Sequence, residues 1–256
     1  MTLANCPVTD EVIAQLVELT HLACGDAPSD APDHAHHEHR AHIRATGLSG
    51  APGLSDGSIE SIESIDSLDG IEAFDAFLAT HGWRYSEFDD SYETAAGQVI
   101  WSGHYDGDPG PSGQTTWATF SVYDPEYDGV SDADHLAAVW GRARGWTLHP
   151  DEGRSRLDAD WQAAAALLTA RFGHPSAMTS GPDPADGTPD ADLHFALWRG
   201  GDQLLCLAQD TDPVCYSCFL RNVLVVVPAD RDTALPGPET LSEWYAAKLL
   251  GEGVAA

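Results

Sequence analysis

Residues 192–210 read DLHFALWRGGDQLLCLAQD, and this stretch decides the fold. Two apolar segments flank the pair Gly200–Gly201, the pattern of two antiparallel strands joined by a tight turn. Just beyond lies CFLRNVLVVVPA, 218–229, the most apolar run in the chain. Its β-branched residues predict the most buried strand. Arg221 and Asn222 interrupt it, and it is too short to span a bilayer. Upstream, DADWQAAAALLTARF, 158–172, predicts a strong helix stopped by Gly173. The order is helix, glycine, hairpin.

The same order occurs once before. A helix is predicted over Ile71–His81 and closed by Gly82. Two strands follow, GQVIWSGHYD (97–106) and QTTWATFSVYD (114–124), joined by the turn-rich GDPGPSG. WRYSEF, 83–88, and WTLHP, 146–150, read as short strands. DADHLAAVWGRAR, 132–144, reads as a helix with Ser131 as N-cap and Gly145 as stop. LSEWYAAKLL, 241–250, predicts a closing helix, and 174–191 reads as a Pro/Gly/Asp loop. Segregated helices and hairpins predict an α+β fold. We expect one or two antiparallel sheets built from two α-β-β halves, with helices packed on one side. An N-terminal helix and a disordered insertion complete the chain. The boundaries are residues 1–24 for the N-terminal helix, 25–57 for a Pro/Gly/His-rich flexible insertion, and 58–256 for the α+β domain. The two halves are 58–130 and 131–256.

Residues 9–22, TDEVIAQLVELTHL, set Val12, Ile13, Leu16, Val17 and Leu19 on one broad helical face. In SIESIESIDSLDGIEAFDAF, apolar residues recur every third position from Ile59 to Phe77. A period of three slips around an α-helix, so 58–69 reads as a partly ordered tract.

The chain has 256 residues, enough to bury a core, and a formal charge of −29. Such charge repels nucleic acid and anionic membrane and attracts basic proteins, so neither nucleic acid nor membrane is expected as a partner. Lys248 is the only lysine. A P-loop and the protein-kinase lysine are therefore excluded. The N-terminus lacks the basic and apolar regions of a signal peptide. Five scattered cysteines fit a reducing cytoplasm better than a disulfide framework.

Several clusters are candidates for chemistry. The run DHAHHEHRAH, 33–42, holds five histidines. On a helix His34 and His42 would share a stripe, and His36–His39 and His39–His42 would be chelating pairs for zinc. The candidate metal residues are His34, His37, His39 and His42. The segment has no apolar face and lies among prolines and glycines, so it also reads as a solvated linker. Cys215 and Cys218 form a lone C-x-x-C, read as core cysteines unless a turn lets Cys206 join them. DPEYDGVSDADH, 124–135, has Asp124, Glu126, Asp128 and Gly129 at calcium-loop spacing, but His135 stands where the bidentate Glu belongs. His104 and Asp106, with His149, Asp151 and Glu152, are polar groups at strand ends, where a hydrolase or small-molecule site can form.

The acidic surface is the last candidate. From Asp56 to Glu93 there are eleven acids and one base, Arg84. Glu87, Asp89, Asp90 and Glu93 are interleaved with Tyr85, Phe88 and Tyr92. Aromatics anchor a protein partner and charge steers it, so these seven residues are the candidate partner-binding face. A solvated acidic face has the same composition.

The C-terminal half resembles small α+β proteins of high-GC bacteria that are regarded as immunity proteins for secreted toxins. The resemblance covers roughly residues 71–230. It lies in the layout of helix, F-G-x-P, W-R strand and terminal V-V-V-P strand. It implies an inhibitor that occludes a basic toxin or enzyme, without catalytic residues of its own. The alternatives read from the residues are a metal-binding protein using the histidine run, and a binder or hydrolase around His104 and His149.

Overall fold

The computed structural model describes residues 2–24, 65–86, 91–102, 115–125, 133–181, 193–211 and 219–250. In chain order the first elements are β1 (Thr2–Asn5), α1 (Asp10–Cys24), α2 (Ile65–His81), β2 (Arg84–Tyr85), β3 (Tyr92–Glu93), β4 (Val99–Ser102) and β5 (Thr116–Asp124). Then come α3 (Ala133–Val139), continued by a 3₁₀ turn at Trp140–Arg142, β6 (Thr147–His149), α4 (Arg154–Phe172) and β7 (Ala177–Gly181). The chain continues through β8 (Leu193–Arg199), β9 (Gln203–Thr211), β10 (Leu220–Pro228), a 3₁₀ turn at Pro238–Thr240, and α5 (Leu241–Leu250).

The hairpin at 192–210 forms as expected. Gly201 takes the left-handed φ of +75° that the turn requires, and Gly200 N–H donates to Gln203 O. β10 pairs with β9 along its whole length, from Leu220↔Thr211 to Pro228↔Gln203. On its other side β10 pairs with β5. That pairing joins the two halves, so there is one sheet, not two. Its order is β2-β3-β4-β5-β10-β9-β8-β7, with β1 on β5 and β6 on β1, ten strands among the described residues. Every pairing is antiparallel. The α+β class is therefore the one observed.

The central strands are apolar on both faces because both faces are covered. Leu224 and Val226 of β10 turn to one face with Ala196, Trp198, Leu205 and Leu207. Val12, Ile13, Leu16 and Leu19 of α1, Phe77 of α2, and Trp161, Ala164 and Leu168 of α4 cover that face. Val223, Val225 and Val227 turn to the other face with Phe195, Leu204 and Cys206, beneath Leu241 and Tyr245 of α5. Beside them Ala4, Val99 and Val122 meet Leu136 of α3, Trp140 and Trp146. The expectation of helices on one side thus describes the three long helices, while the two short ones cover the opposite face. The run V-V-V needs both layers to leave the water.

A bulge in β5 positions the polar groups described below. Asn222 lies opposite Ser121 but Val223 opposite Thr119, so Phe120 is an extra residue. Ala118 and Phe120 both face α1 and α4. Past the bulge the alternation is inverted, and Ser121 reaches α4 where Val122 reaches α3.

Five elements differ from expectation, among them β3, two residues not marked as a strand by the sequence. β1 forms within residues 1–24, expected as an N-terminal helix; four residues are too few to show a period, and the strand exists by pairing with β5 and β6. β7 lies inside the expected loop 174–191; AMTSG has no apolar alternation and is a strand because β8 presents a ladder. α2 begins at Ile65, not Ile71. α4 begins at Arg154, one turn before the apolar stripe that signals it.

Candidate functional site

Of the candidate partner-binding face, Tyr85 lies on β2 and Tyr92 and Glu93 on β3, at one end of the sheet. Arg84 lies opposite Glu93 and Tyr85 opposite Tyr92. Ser86 N–H donates to Ser91 O at 2.9 Å and closes the pair toward the turn. Tyr85 is 64% exposed, the most exposed large hydrophobic side chain among the described residues. It is held from behind. Its ring meets Tyr92 edge-on with centroids 5.9 Å apart, and Tyr92 meets Phe74 of α2 in the same way at 5.2 Å. An aromatic ladder therefore runs from α2 to the rim and fixes the phenol in place.

Glu93 does not belong to that exposed face. It is buried, and Oε2 accepts from Arg84 Nε at 2.9 Å and from Arg84 Nη2, while Oε1 accepts from Ser86 Oγ at 3.3 Å. Its acid anchors the hairpin and is not offered to a partner. Glu87, Phe88, Asp89 and Asp90 lie outside the described residues. So do His34, His37, His39 and His42, His104 and Asp106, and Cys215 and Cys218. Of the calcium-like loop, Asp124 is buried in β5 and the His135 ring stacks on Phe219 at 6.0 Å. Among the described residues no three His, Cys, Asp or Glu side chains converge as a metal ion requires. No helix among them is long and apolar enough to cross a membrane.

His149 and Glu152 do come together, in a closed ring under the first turns of α4. His149 Nε2 faces Asn5 Oδ1 at 3.2 Å, and Nδ1 lies 3.6 Å from Glu152 Oε1. Glu152 Oε2 accepts from Arg156 Nη1 at 3.1 Å, and Arg156 Nε donates to Asp160 Oδ1 at 3.0 Å. Asp160 Oδ2 accepts from Asn5 Nδ2 at 2.8 Å, which closes the ring, and from Ser121 Oγ at 3.0 Å. Asn5 is oriented by this arrangement: its amide N–H₂ goes to Asp160, so its oxygen goes to His149. The ion pairs raise the Arg156 pKa against the lowering effect of burial. A neighbouring set ties Arg154 to Asp158 at 2.8 Å and to Gln209 at 2.8 Å. The polar groups of the ring bond one another and brace β1, β5, β6 and α4.

The sequence reading missed a third polar group. Arg221 of β10 is 1% exposed, and its guanidinium grips Asp210 of β9 in bidentate fashion, Nε to Oδ1 at 2.6 Å and Nη2 to Oδ2 at 3.0 Å. Tyr245 of α5 donates its hydroxyl to the same Oδ2. Burial and the neighbouring carboxylate raise the Tyr245 pKa well above its ordinary value. The same causes push up the thiol of Cys206. Burial alone raises Cys6 to about 11. These thiols stay protonated at neutral pH and are not nucleophiles. The signal was present: a charge inside the most apolar strand demands a buried partner, and the hairpin register sets Asp210 directly opposite.

Comparison with protein-family models, with curated proteins and with solved structures finds no match. The functional reading therefore rests on the residues themselves.

Proposed function

We propose that the chain is a binding protein that captures a basic protein partner at the β2–β3 rim and occludes it, in the manner of an immunity-type inhibitor. The observation that carries this reading is Tyr85. Its ring is exposed at the sheet end, braced by Tyr92 and Phe74, and followed in sequence by Glu87, Asp89 and Asp90. A pre-ordered aromatic loses little entropy on binding and is a common energetic centre of an interface. The charge of −29 would accelerate the encounter with a cationic partner. The ion pair between exposed Arg84 and buried Glu93 ties the two strands beside the anchor.

The test is affinity capture from extract of the native cell, with the whole chain immobilised. At low salt a basic protein is retained. Tyr85→Ala lowers its affinity by roughly tenfold or more, and Tyr85→Phe retains most of it. Raising the salt slows association more than it speeds dissociation. If no basic protein is retained at low salt, the reading fails.

A further inference from the structure

Tyr85 stands on a strand of two residues at the end of the sheet, and among the described residues β2 pairs with β3 alone. So short a hairpin is marginal by itself, and its order must come from what it is tied to. The aromatic contacts through Tyr92 and Phe74 are one tie. A second enters along the chain, through Trp83.

Trp83 joins α2 to β2. Gly82, at φ +66°, ends the helix in the left-handed conformation, and Trp83 N–H donates back to Leu78 O at 2.9 Å. The indole is buried and meets Phe77 edge-on, with centroids 5.1 Å apart. Its Nε1–H donates to Oε1 of Gln15, on α1, at 2.8 Å. Gln15 is buried too, and its Nε2 donates to Glu11 Oε1, one turn earlier on the helix, at 3.2 Å. One orientation of the amide serves both neighbours. An indole N–H can only donate and a carboxylate can only accept, so the amide oxygen faces Trp83 and the nitrogen faces Glu11.

This tie differs in kind from the apolar contacts around it. Burial against Phe77 is non-directional and sets how deep the indole lies, not how it is turned. A short hydrogen bond to a buried acceptor sets the turn of the ring. Tyr85 follows two residues on, so the setting of Trp83 is passed along the backbone to it. α1 is itself seated on the sheet by Val12, Ile13, Leu16 and Leu19. Gln15 thus ties the rim to the core from 68 residues earlier in the chain.

We propose that Gln15 is a positioning residue for the Tyr85 anchor, acting through Trp83, with Glu11 orienting its amide. The inference rests on the reading of Tyr85 as the anchor for a basic partner. It adds that α1 sets the geometry of that site together with the hairpin.

The test is NMR of the full chain labelled with fluorotyrosine, read at Tyr85 and at the indole N–H of Trp83. The two signals are assigned by their loss in Tyr85→Phe and Trp83→Phe. Gln15→Met keeps the bulk of the side chain and removes the acceptor. In that variant the Trp83 N–H signal should move upfield and the Tyr85 signal should shift or broaden, while circular dichroism is unchanged. Glu11→Ala, at an exposed position, should move both signals in the same direction by less. Asp160→Ala removes hydrogen bonds to Asn5 and Ser121 and should leave both signals in place, which separates positioning from loss of stability. Affinity for the basic protein that the wild-type chain retains at low salt should fall roughly three- to tenfold in Gln15→Met, the equivalent of one hydrogen bond. A Tyr85 signal unmoved in both Gln15→Met and Glu11→Ala overturns the proposal. So does unchanged affinity in Gln15→Met, or an equal shift in Asp160→Ala. If the Tyr85 signal moves but the wild-type chain retains no basic protein, the placement of Tyr85 by Gln15 stands and the binding reading fails instead.

Discussion

Two glycines show how a single missing Cβ decides a contact. Gly97, φ +105°, sits in the β3–β4 turn, and Gly145, φ +80°, follows the 3₁₀ turn after α3. A Cβ on Gly97 would lie 1.7 Å from Arg144 O, and one on Gly145 would lie 1.8 Å from Ala96 O. The two backbones pass so close that both positions require glycine. Trp146 Nε1 donates to Gly97 O at 2.8 Å across the same junction. Gly97→Ala or Gly145→Ala should therefore cost about 3 kcal/mol or more, seen as a lowered urea midpoint at unchanged slope. Arg221→Met should cost about 3–5 kcal/mol, because Asp210 is left charged in the core; Arg221→Met with Asp210→Leu should recover much of it. Cys6 gives a pH dependence with a defined sign. Burial raises its thiol from 9.0 to about 11, so the folded chain binds the proton more tightly than the unfolded one. This contribution is complete below the unfolded value and is lost as pH rises from about 9 to about 11. Denaturation midpoints should fall across that interval, less steeply in Cys6→Ala. Of these residues the sequence reading noted Gly145 as a stop and Arg221 as an interruption. Their partners, Ala96 and Asp210, became visible only when distant backbones were brought together.

At the level of elements, α4 carries two faces with separate tasks. Trp161, Ala164 and Leu168 pack on the sheet, which the 3.6-residue period made legible. Its first turns hold Arg154, Arg156, Asp158 and Asp160, which bind Asn5, Ser121, Glu152 and Gln209 from four other parts of the chain. Asp160→Ala should cost about 1–3 kcal/mol, since it removes one partner each from Asn5, Ser121 and the partly exposed Arg156. Hydrogen exchange should quicken first in β1, whose Asn5 this carboxylate ties to the helix, and in β6, which pairs with β1. Helices and hairpins with a strong period were readable because periodicity is local. β1, β3 and β7 were not, because two to five residues carry no period and become strands only beside a neighbour. The same limit applies to the rim. Tyr85 and Tyr92 were singled out for their composition, and Glu93 with them. Only the cross-strand register showed that Glu93 points inward to Arg84 while Tyr85 points out.

The whole molecule is a single antiparallel sheet under strong self-repulsion. With −29 charges on 256 residues, the folded state concentrates like charge that the unfolded chain spreads apart. The thermal midpoint should therefore rise between about 10 mM and 0.3 M NaCl, the range over which the screening length falls below the spacing of surface charges. A midpoint that falls with salt would mean that ion pairs such as those around α4 outweigh the repulsion. The sequence by itself determined the α+β class, the hairpin at 192–210, the buried strand that follows it and the acidity of the surface. Each depends on composition or on neighbours a few residues apart. The tertiary structure alone decided that the two halves share one sheet through β5 and β10, and that helices cover both its faces. It also decided that Arg221 meets Asp210 and Tyr245, and that His149 closes a brace. These are pairings between residues distant in the chain. Burial makes them obligatory, because a charge or a backbone group removed from water must find a partner, and sequence spacing does not say which one.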